Sequence, residues 1–493
     1  MAVLPMETRE IFENLSPLDH RYWKANAALF DALSARLSEA AQLRSHARVE
    51  AALLKTHLEL RGMATEALHR SIDAVVDALE PEEVYAEEES TRHNIRALVN
   101  VLQRKLPGEL RSLVHLGATS VDILDTSRSL TLRSAVRDVL LPLLGRLEIR
   151  ICTLCVDESE TPQVGRTHGQ HAVPLTFGFA MAEYASRLGS SILRVENLAG
   201  DLRGKLSGAV GAYNALSLLY PDPEEVERTF LARLGLEPSG HSTQLVEPEP
   251  VLRLLLELNV AFGIIANLAD DLRNLQRTEI GELRESFGAG QVGSSTMPQK
   301  RNPWNSEHVK SLWKTFSPRT MTFFMDQISE HQRDLTNSAS ERFVPEFVAG
   351  LCAAANRMLG VLDGLVVDRA RMAANLRMTG GSILAEPAYI LLAESGRPDA
   401  HEMLRRITLH AEREGLSLHE SLALDAEAMG AVRARLESLG IRDPEAFFSA
   451  PERYRGRAAE KARALGTKYL GLMEKYAASG AAAGAATGTA EGG

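Results

Sequence analysis

The most apolar stretch of the chain is VLRLLLELNVAFGIIANL, residues 251–268, and apolar residues continue at helical spacing through Leu272 and Leu275. This pattern predicts one helix of about eight turns. The stretch also carries four polar residues: Arg253, Glu257, Asn259 and Asn267. A helix that is apolar on most faces yet interrupted by charges is typical of a bundle core rather than of a membrane span. We therefore expect other helices, of this chain or of partner subunits, to surround it.

A second apolar series has the same spacing and predicts another long helix: Met181, Tyr184, Leu188, Ile192 and Val195. Alternating patterns typical of strands are scarce across the 493 residues, and good helix formers, Leu and Ala, supply most of the apolar content. A chain of this length is expected to form two or three domains. The sequence thus predicts an all-α protein with a central bundle of long helices.

Charge and cysteine content limit the possible functions. The net charge of −10 argues against a general nucleic-acid binder, so an anionic substrate would need a local cluster of Arg and Lys. The N-terminal residues lack the basic patch and apolar core of a signal peptide. Cys152, Cys155 and Cys352 do not make a disulfide framework, and the CxxC pair is better explained as two reduced cysteines on a helix than as a redox or zinc site. We expect a soluble, cytoplasmic protein.

Polar segments between apolar helices are where catalytic residues usually lie, and three stand out here. They are HLGATSVDILDT (115–126), GRTHGQHAVP (165–174) and GAGQVGSSTMPQKRNP (288–303). In the last, small residues allow a mobile loop whose amides and hydroxyls can close on a carboxylate. Lys300 adds a positive charge and Asn302 an amide donor. An ordinary basic surface turn is the alternative.

The other polar segments supply possible acids, bases and hydrogen-bond donors. His168 and His171 have side chains that titrate near neutrality, although a structural histidine is the alternative at each position. Thr119 and Ser120 can donate to a carboxylate, whereas at least one of Asp122 and Asp125 is expected to cap the next helix instead.

A fourth segment, ESTRHNIRALV, predicts a helix that carries Arg92, His93 and Asn94, with Ile95 and Leu98 facing inward. HExxH, DxDxDG and paired CxxC motifs are absent from the sequence, as are a P-loop and a GxGxxG motif in a strand–helix setting. We therefore expect neither a metal nor a cofactor.

The segment GSSTMPQKRNP resembles the GSSxMPxKxNP signature of the fumarase/aspartase superfamily, and TSVDILDT and GRTHGQHAVPLTFG match that superfamily in the same order. The resemblance implies a fold of three helical domains, here residues 1–118, 119–366 and 367–476. It also implies a homotetramer whose active sites combine loops of three subunits. Residues 477–493 are rich in Ala and Gly and predict a disordered tail.

Within the superfamily, several segments resemble the adenylosuccinate lyase family: SPLDHRYW, TRHN and HQRDLTNSASER. This implies anti β-elimination of fumarate from adenylosuccinate, and the same chemistry would serve the succinyl-carboxamide ribotide of purine synthesis. The substrate-binding residues implied are Arg21, Tyr22, Arg92, His93, Asn94, Thr119, Ser120, Gln244, Arg333, Ser338 and Arg342. Arginines beside a serine suit recognition of a phosphate.

The resemblance also implies catalytic roles. Ser294 would be the base, and His168 the acid with Glu307 as its orienting carboxylate, although His93 stays open as the acid. Lys300 and Asn302, with Thr119 and Ser120, would hold the charge of the carbanion. The implied partner is a small molecule, with neither nucleic acid nor membrane.

Two departures bear on the substrate. Asn94 stands where many members of the family have Asp, and LVEPEP after Gln244 blends two subgroup patterns. The first alternative is another lyase or cycloisomerase of the superfamily, acting on an aminosuccinate or a carboxymuconate. Lacking a phosphate on its substrate, such an enzyme would not depend on Arg21, Arg333 or Arg342. The second alternative is a non-catalytic structural relative.

Overall fold

The computed structural model describes residues 10–287, 296–297, 299–333 and 336–485 of the chain. Its helices are α1 (Arg21–Ala25), α2 (Ala27–Leu37), α3 (Glu39–Leu60), α4 (Glu66–Asp77), α5 (Pro81–Thr91), α6 (Asn94–Lys105), α7 (Ser120–Ala135), α8 (Leu141–Asp157), α9 (Phe177–Gly200), α10 (Pro223–Arg233), α11 (Glu249–Leu275), α12 (Trp304–Phe316), α13 (Arg319–Met325), α14 (Val344–Asp363), α15 (Arg369–Arg377), α16 (Ala385–Glu394), α17 (Ala400–Glu414), α18 (Leu418–Leu424), α19 (Ala426–Ser438), α20 (Pro444–Ser449) and α21 (Ala458–Ala485).

Short strands connect some of these helices: β1 (Pro162–Thr167), β2 (Gln170–Thr176), β3 (Arg203–Gly204), β4 (Glu237–Pro238), β5 (Leu283–Arg284) and β6 (Val366–Val367). They pair two by two, β1 with β2 and β5 with β6 antiparallel, and β3 with β4 parallel. A π-helical turn, Val136–Leu140, joins α7 to α8 just before Pro142, which lacks the N–H that a regular helix would use. The predicted all-α class is confirmed.

The two long helices predicted from apolar spacing are both present. Helix α11 includes residues 251–268 and ends at Leu275, and its Leu254, Leu258 and Phe262 are fully buried. Helix α9 buries all five members of the predicted series. These helices lie in the core because their apolar faces cover most of the helix surface.

Helix α11 is the one helix of the described residues long and apolar enough to cross a membrane, judged by length and composition alone. Its most apolar window has a mean hydropathy of 1.7, and 56% of that window is buried inside the chain. Since its side chains pack in the largest hydrophobic core beside α8, α9 and α14, the helix has the surroundings predicted for a bundle core.

Apolar side chains of the described residues form three clusters. The largest unites α8, α9, α11, α12 and α14. The second joins α3, α4, α6 and α10, and the third joins α15 to α20 with Val164 of β1. Leu18 and Phe30, near the N-terminus, pack on the largest cluster, as do Tyr469 and Met473 of α21. Segments near both ends of the described residues thus pack on the central bundle, and the division into three domains stays a prediction.

Helix α21 runs to Ala485 and so includes residues 477–485, the first part of the segment predicted as a tail. Residues 486–493 lie outside the described residues, and the disordered tail stays a prediction.

The CxxC pair lies on α8, as predicted. Cys152 and Cys155 are both buried free thiols. Burial, together with the nearby carboxyl group of Glu148, raises the pKa of Cys155 to about 12. A thiol that stays protonated at neutral pH is neither a good nucleophile nor a good metal ligand, which fits the expected structural role.

Candidate active site

The signature segment is described only in part. Ser294, the predicted base, lies outside the described residues. Lys300 is exposed, and its backbone N–H donates to the carbonyl of Met297 at 3.0 Å. Asn302 is half-buried, and α12 begins two residues later, so that Glu307 lies exposed in the first turn of that helix. Glu307 therefore lies on the helix that directly follows Lys300 and Asn302 in the chain.

Tyr22 brings the N-terminal segment to the same helix. Its hydroxyl lies 2.9 Å from Nε2 of His308, one residue after Glu307, and the two ring centroids are 5.7 Å apart. Burial, and secondarily the positive charge of Arg357, lowers the pKa of His308. Burial also raises the pKa of Tyr22, against the opposing effect of Arg357. A protonated phenol can then donate to a neutral imidazole, which fixes Tyr22 beside the start of α12. Its neighbour Arg21 is exposed.

Thr119 and Ser120 lie at the N-terminus of α7. The backbone N–H of Thr119 donates to Oδ2 of Asp122 at 2.8 Å, so Asp122 caps the helix as expected for at least one of the two aspartates. Asp122 is fully buried, forms an ion pair with Lys205, and accepts from the N–H groups of Ser207 (3.2 Å) and Gly208 (3.3 Å). The Asp122 carboxylate is therefore committed to contacts inside the protein and is not available to a substrate.

Asp125 joins α7 to the segment that carries Gln244. Its Oδ2 accepts the N–H of Val246 at 2.9 Å, and burial raises its pKa. The N–H of Gln244 donates to the carbonyl of Gln332 at 3.3 Å, directly before half-buried Arg333. These bonds bring two predicted substrate-binding segments together beside α7.

The segment after Arg333 is fixed to the same helix. Arg128 of α7 forms an ion pair with Glu341. Ser338 and Arg342, on either side of that anchor, are exposed. The structure therefore gathers Thr119, Ser120, Gln244 and the 333–342 segment around α7, apart from residues 334–335, which lie outside the described residues.

His168 lies at the tip of the β1–β2 hairpin. Thr167 pairs with Gln170, so His168 and Gly169 form a two-residue turn, and both have positive φ, 54° and 75°. The His168 side chain is exposed and makes no hydrogen bond or ion pair within the described ranges. His171, the alternative histidine, is half-buried, and burial together with Arg166 lowers its pKa. The exposed position favours His168 for contact with a substrate.

A buried carboxylate fixes the base of this hairpin. Glu282 is fully buried and accepts from Gln163 (2.8 Å), Arg166 (2.6 Å) and Asn375 (2.8 Å). Because Asn375 belongs to α15, the hairpin is anchored at the edge of the third apolar cluster (α15 to α20, the C-terminal cluster), while its tip stays open to solvent.

The prediction that Arg92 and His93 lie on a helix is wrong. Arg92 has the left-handed φ of 55° that ends α5, and His93 is the N-cap of α6, with Nδ1 accepting the N–H of Arg96 at 3.3 Å. Asn94 is the first residue of α6, and Ile95 is buried as expected. All three polar residues are exposed, at a corner between helices rather than along one face.

One chain thus assembles part of the predicted site. Tyr22 joins the signature end of α12, and Gln244 joins the 333–342 segment at α7. His168 and the 92–94 corner make no hydrogen bond or ion pair with either group, as far as the described residues extend. The predicted pairing of His168 with Glu307 is not formed within one chain and stays a prediction.

Two protein-family models match this chain. A family model described as lyase matches residues 20–314, and one described as adenylosuccinate lyase C-terminal matches residues 329–443. Adenylosuccinate lyase of Pyrococcus abyssi is 34% identical over 449 residues, covering 90% of this chain and 95% of that protein. The chain belongs to the adenylosuccinate lyase family. Another relative, adenylosuccinate lyase of Aquifex aeolicus, is 31% identical over 79% of this chain and 89% of that protein.

Solved structures extend the family likeness to the wider superfamily. The 3-carboxy-cis,cis-muconate lactonizing enzyme from Pseudomonas putida superposes with a TM-score of 0.74 at 25% identity, covering 91% of this chain and 97% of that chain. A fumarate lyase from Mesorhizobium sp. BNC1 has a TM-score of 0.75 at 25% identity, over 90% and 97%. Family membership confirms that the chain is a lyase, as its signature segment predicted.

Several residues of this family member were missed from sequence. His308 contacts Tyr22, and the charge of Arg357 adds to the lowered pKa of His308 and opposes the burial that raises the pKa of Tyr22. Lys205 forms an ion pair with Asp122, and Glu285 contacts the start of α12. Each is a single residue outside the matched motifs, and only the contact between distant segments shows its role. The one usable signal was that SEHV places a histidine directly after Glu307.

Proposed function

We propose that this lyase splits adenylosuccinate into AMP and fumarate by anti β-elimination, and that it accepts the succinyl-carboxamide ribotide of purine synthesis as well. One observation carries the proposal: Tyr22, from the segment resembling a phosphate-binding site, contacts His308 of α12, the helix that directly follows the signature residues Lys300 and Asn302. A phosphate and a succinyl group of one substrate could then reach the same part of the molecule. A lyase for plain dicarboxylates would have no use for this arrangement.

The charge of the reaction intermediate would be held by two sets of donors. Removing the proton next to a carboxylate builds up negative charge on that carboxylate, and stabilising it is the main task of the site. Lys300 supplies a cation and Asn302 an amide. Thr119 and Ser120 add hydroxyls at the N-terminus of α7, where the helix dipole favours an anion.

Proton transfer would involve Ser294 and His168. A serine becomes a base only when its alkoxide is favoured by nearby donors, which we assign to the signature segment. His168, exposed at the hairpin tip, has both ring nitrogens available for a substrate and for Glu307. A carboxylate partner favours the protonated imidazole, the form that a general acid needs.

We further propose a homotetramer in which His168 and the 92–94 corner reach the signature end of another subunit. The exposed apolar residues of one chain support this, since large exposed apolar patches mark interfaces. Val260 of α11 is 49% exposed, and Met321, Phe324 and Ile328 near α13 are 58%, 51% and 80% exposed. We place the enzyme in the cytoplasm, which suits its buried free thiols.

The test is the ultraviolet change on mixing the purified protein with adenylosuccinate, with AMP and fumarate identified as products. We expect turnover by the wild type and its loss in Ser294→Ala, while a control, Ser449→Ala on the exposed surface of the C-terminal cluster, stays active. A wild-type protein that leaves adenylosuccinate intact contradicts the proposal. Phosphate-free aminosuccinates and carboxymuconates would then be the substrates to test.

A further inference from the structure

One carboxylate ties the two ends of the signature segment together. Glu285 directly follows β5 and is 9% exposed. Its Oε1 accepts the backbone N–H and the hydroxyl of Ser306, at 2.9 and 2.7 Å. Its Oε2 accepts the backbone N–H and the side-chain amide of Asn305, at 3.3 and 2.9 Å. Both carboxylate oxygens are thus bound to residues about twenty positions further along the chain.

A side-chain amide adds a second tie at the same place. Gln276 follows the last residue of α11, and its Oε1 accepts the N–H of Glu285 at 2.9 Å. Its Nε2 donates to the carbonyl of Arg301 at 3.1 Å. One residue at the end of the central helix therefore holds both Glu285, which precedes the signature segment, and Arg301 in the last part of that segment.

Helix α12 depends on Glu285 because its own N-terminus has no cap. The residue before it is Pro303, which makes no side-chain capping bond. The first N–H groups of a helix have no partner within the helix, and a negative charge there is favourable. Glu285 satisfies the N–H groups of Asn305 and Ser306, directly before Glu307.

The same contact reaches the Tyr22 side of the site. Arg357 of α14 donates to Oδ1 of Asn305 at 2.9 Å, and its guanidinium lies 5.1 Å from the ring of Trp304. Its charge also lowers the pKa of His308, the partner of Tyr22. A shift of Asn305 would therefore disturb both ends of the assembled site.

We propose that Glu285 is a positioning residue for the elimination, which holds Asn302 and Glu307 in register with the central bundle. This role rests on the proposed function. Catalytic groups misplaced by about 1 Å can lose about 100-fold in rate even when the change lies away from the chemistry. A merely structural bond would affect stability and leave turnover of the folded enzyme unchanged.

The test compares Glu285→Gln with wild type in the full-length protein. We expect kcat for adenylosuccinate to fall about 10- to 100-fold with KM changed less than about 3-fold, because reacting groups rather than binding groups are displaced. Oligomeric state should be unchanged, and the thermal midpoint should fall by only a few degrees, because Gln keeps one acceptor oxygen at the helix N-terminus. A folded Glu285→Gln enzyme with a kcat within twofold of wild type overturns the proposal.

Three controls keep the result interpretable. Glu420→Gln removes an exposed carboxylate, which caps α18 through the N–H of Ser417 far from the signature segment in sequence, and should leave kcat unchanged. Gln276→Ala tests the second tie if Glu285→Gln does not fold, and an unchanged kcat there also contradicts the proposal. Combining Glu285→Gln with Ser306→Ala should lower kcat by less than the product of the two separate effects, since both act through one contact. Additive effects count against it.

Hydrogen exchange separates this proposal from the proposed function. The amides of Asn305 and Ser306 should exchange faster in Glu285→Gln, whatever the substrate. If wild type leaves adenylosuccinate intact while those amides respond, only the proposed function fails. If wild type is active and neither exchange nor kcat responds, only the positioning role fails.

Discussion

The buried pair of Asp122 and Lys205 at the start of α7 allows a quantitative prediction. Both side chains are fully buried, and Asp122 also accepts three backbone N–H groups, from Thr119, Ser207 and Gly208. Lys205 has fewer partners: besides Asp122, its Nζ donates to the carbonyl of Gly208 at 3.3 Å. Removing the charge of Asp122 and removing the charge of Lys205 should therefore lower the free energy of unfolding by different amounts.

In Asp122→Asn the buried ammonium of Lys205 loses its ion-pair partner, which typically costs about 3–5 kcal/mol. The weaker cap that the neutral amide provides on α7 adds up to about 1 kcal/mol. In Lys205→Met the carboxylate keeps its three N–H donors, so we expect a smaller loss of about 2–3 kcal/mol. The double variant removes both charges and should lose less than the sum of the two, by at least about 2 kcal/mol.

The assay is urea unfolding followed by circular dichroism, at one protein concentration because the stability of the proposed tetramer would depend on that concentration. The control is Asp138→Asn, which breaks the exposed pair with Arg36 (3.2 Å) and should cost less than about 1 kcal/mol. Equal losses in Asp122→Asn and Lys205→Met, or strict additivity in the double variant, would refute this account of the pair.

Three further predictions concern packing, pH and substrate binding. Gly189→Ala places a Cβ 2.3 Å from the ring of Tyr469 and should lower the thermal midpoint by the equivalent of about 1–3 kcal/mol. The control Gly471→Ala, with open space around it, should leave the midpoint unchanged, and equal midpoints for the two variants would contradict the packing of α21 on α9. Burial lowers the pKa of His46 to about 4. As the pH falls below about 6.5, the pKa of this histidine in the unfolded state, the unfolded chain takes up a proton first, so stability is lost until about pH 4. In urea titrations His46→Gln should show a flatter decline over that range, and an unchanged decline would count against it. Gly211 has a φ of 80°, and a Cβ there would lie 1.8 Å from the carbonyl oxygen of Ser242. Gly211→Ala should therefore displace the Gln244 segment and raise KM for adenylosuccinate about 10-fold or more, and an unchanged KM would argue against Gln244 as a substrate contact.

Local patterns were sufficient to predict the helical core. In α9 and α11, apolar residues recur every three or four positions, which matches the 3.6 residues of a helical turn. The same spacing therefore predicts both the helix and the face that it buries. The capping role of one aspartate after Thr119 was also predictable, since it depends on residues three positions apart.

Contacts between distant segments were not predictable from sequence patterns. The corner at Arg92 was predicted as helix because the left-handed residue is an arginine, not the glycine that usually marks a helix end. Lys205 lies 83 residues from Asp122 and His308 lies 286 residues from Tyr22, so neither pairing leaves a local pattern. The site residues were predicted by resemblance, whereas the residues that hold them in place became visible only in the fold.

The central claim is that a phosphate-binding segment and a lyase signature serve one substrate. The most direct test is kcat/KM of the wild type for adenylosuccinate and for the same compound without its 5′-phosphate. We predict a loss of at least about 100-fold without the phosphate, because a site built to hydrogen-bond a substrate group discriminates strongly against the analogue that lacks that group. Arg333→Ala should narrow that difference by lowering activity on the phosphorylated substrate alone. Equal kcat/KM values for the two compounds would contradict the claim.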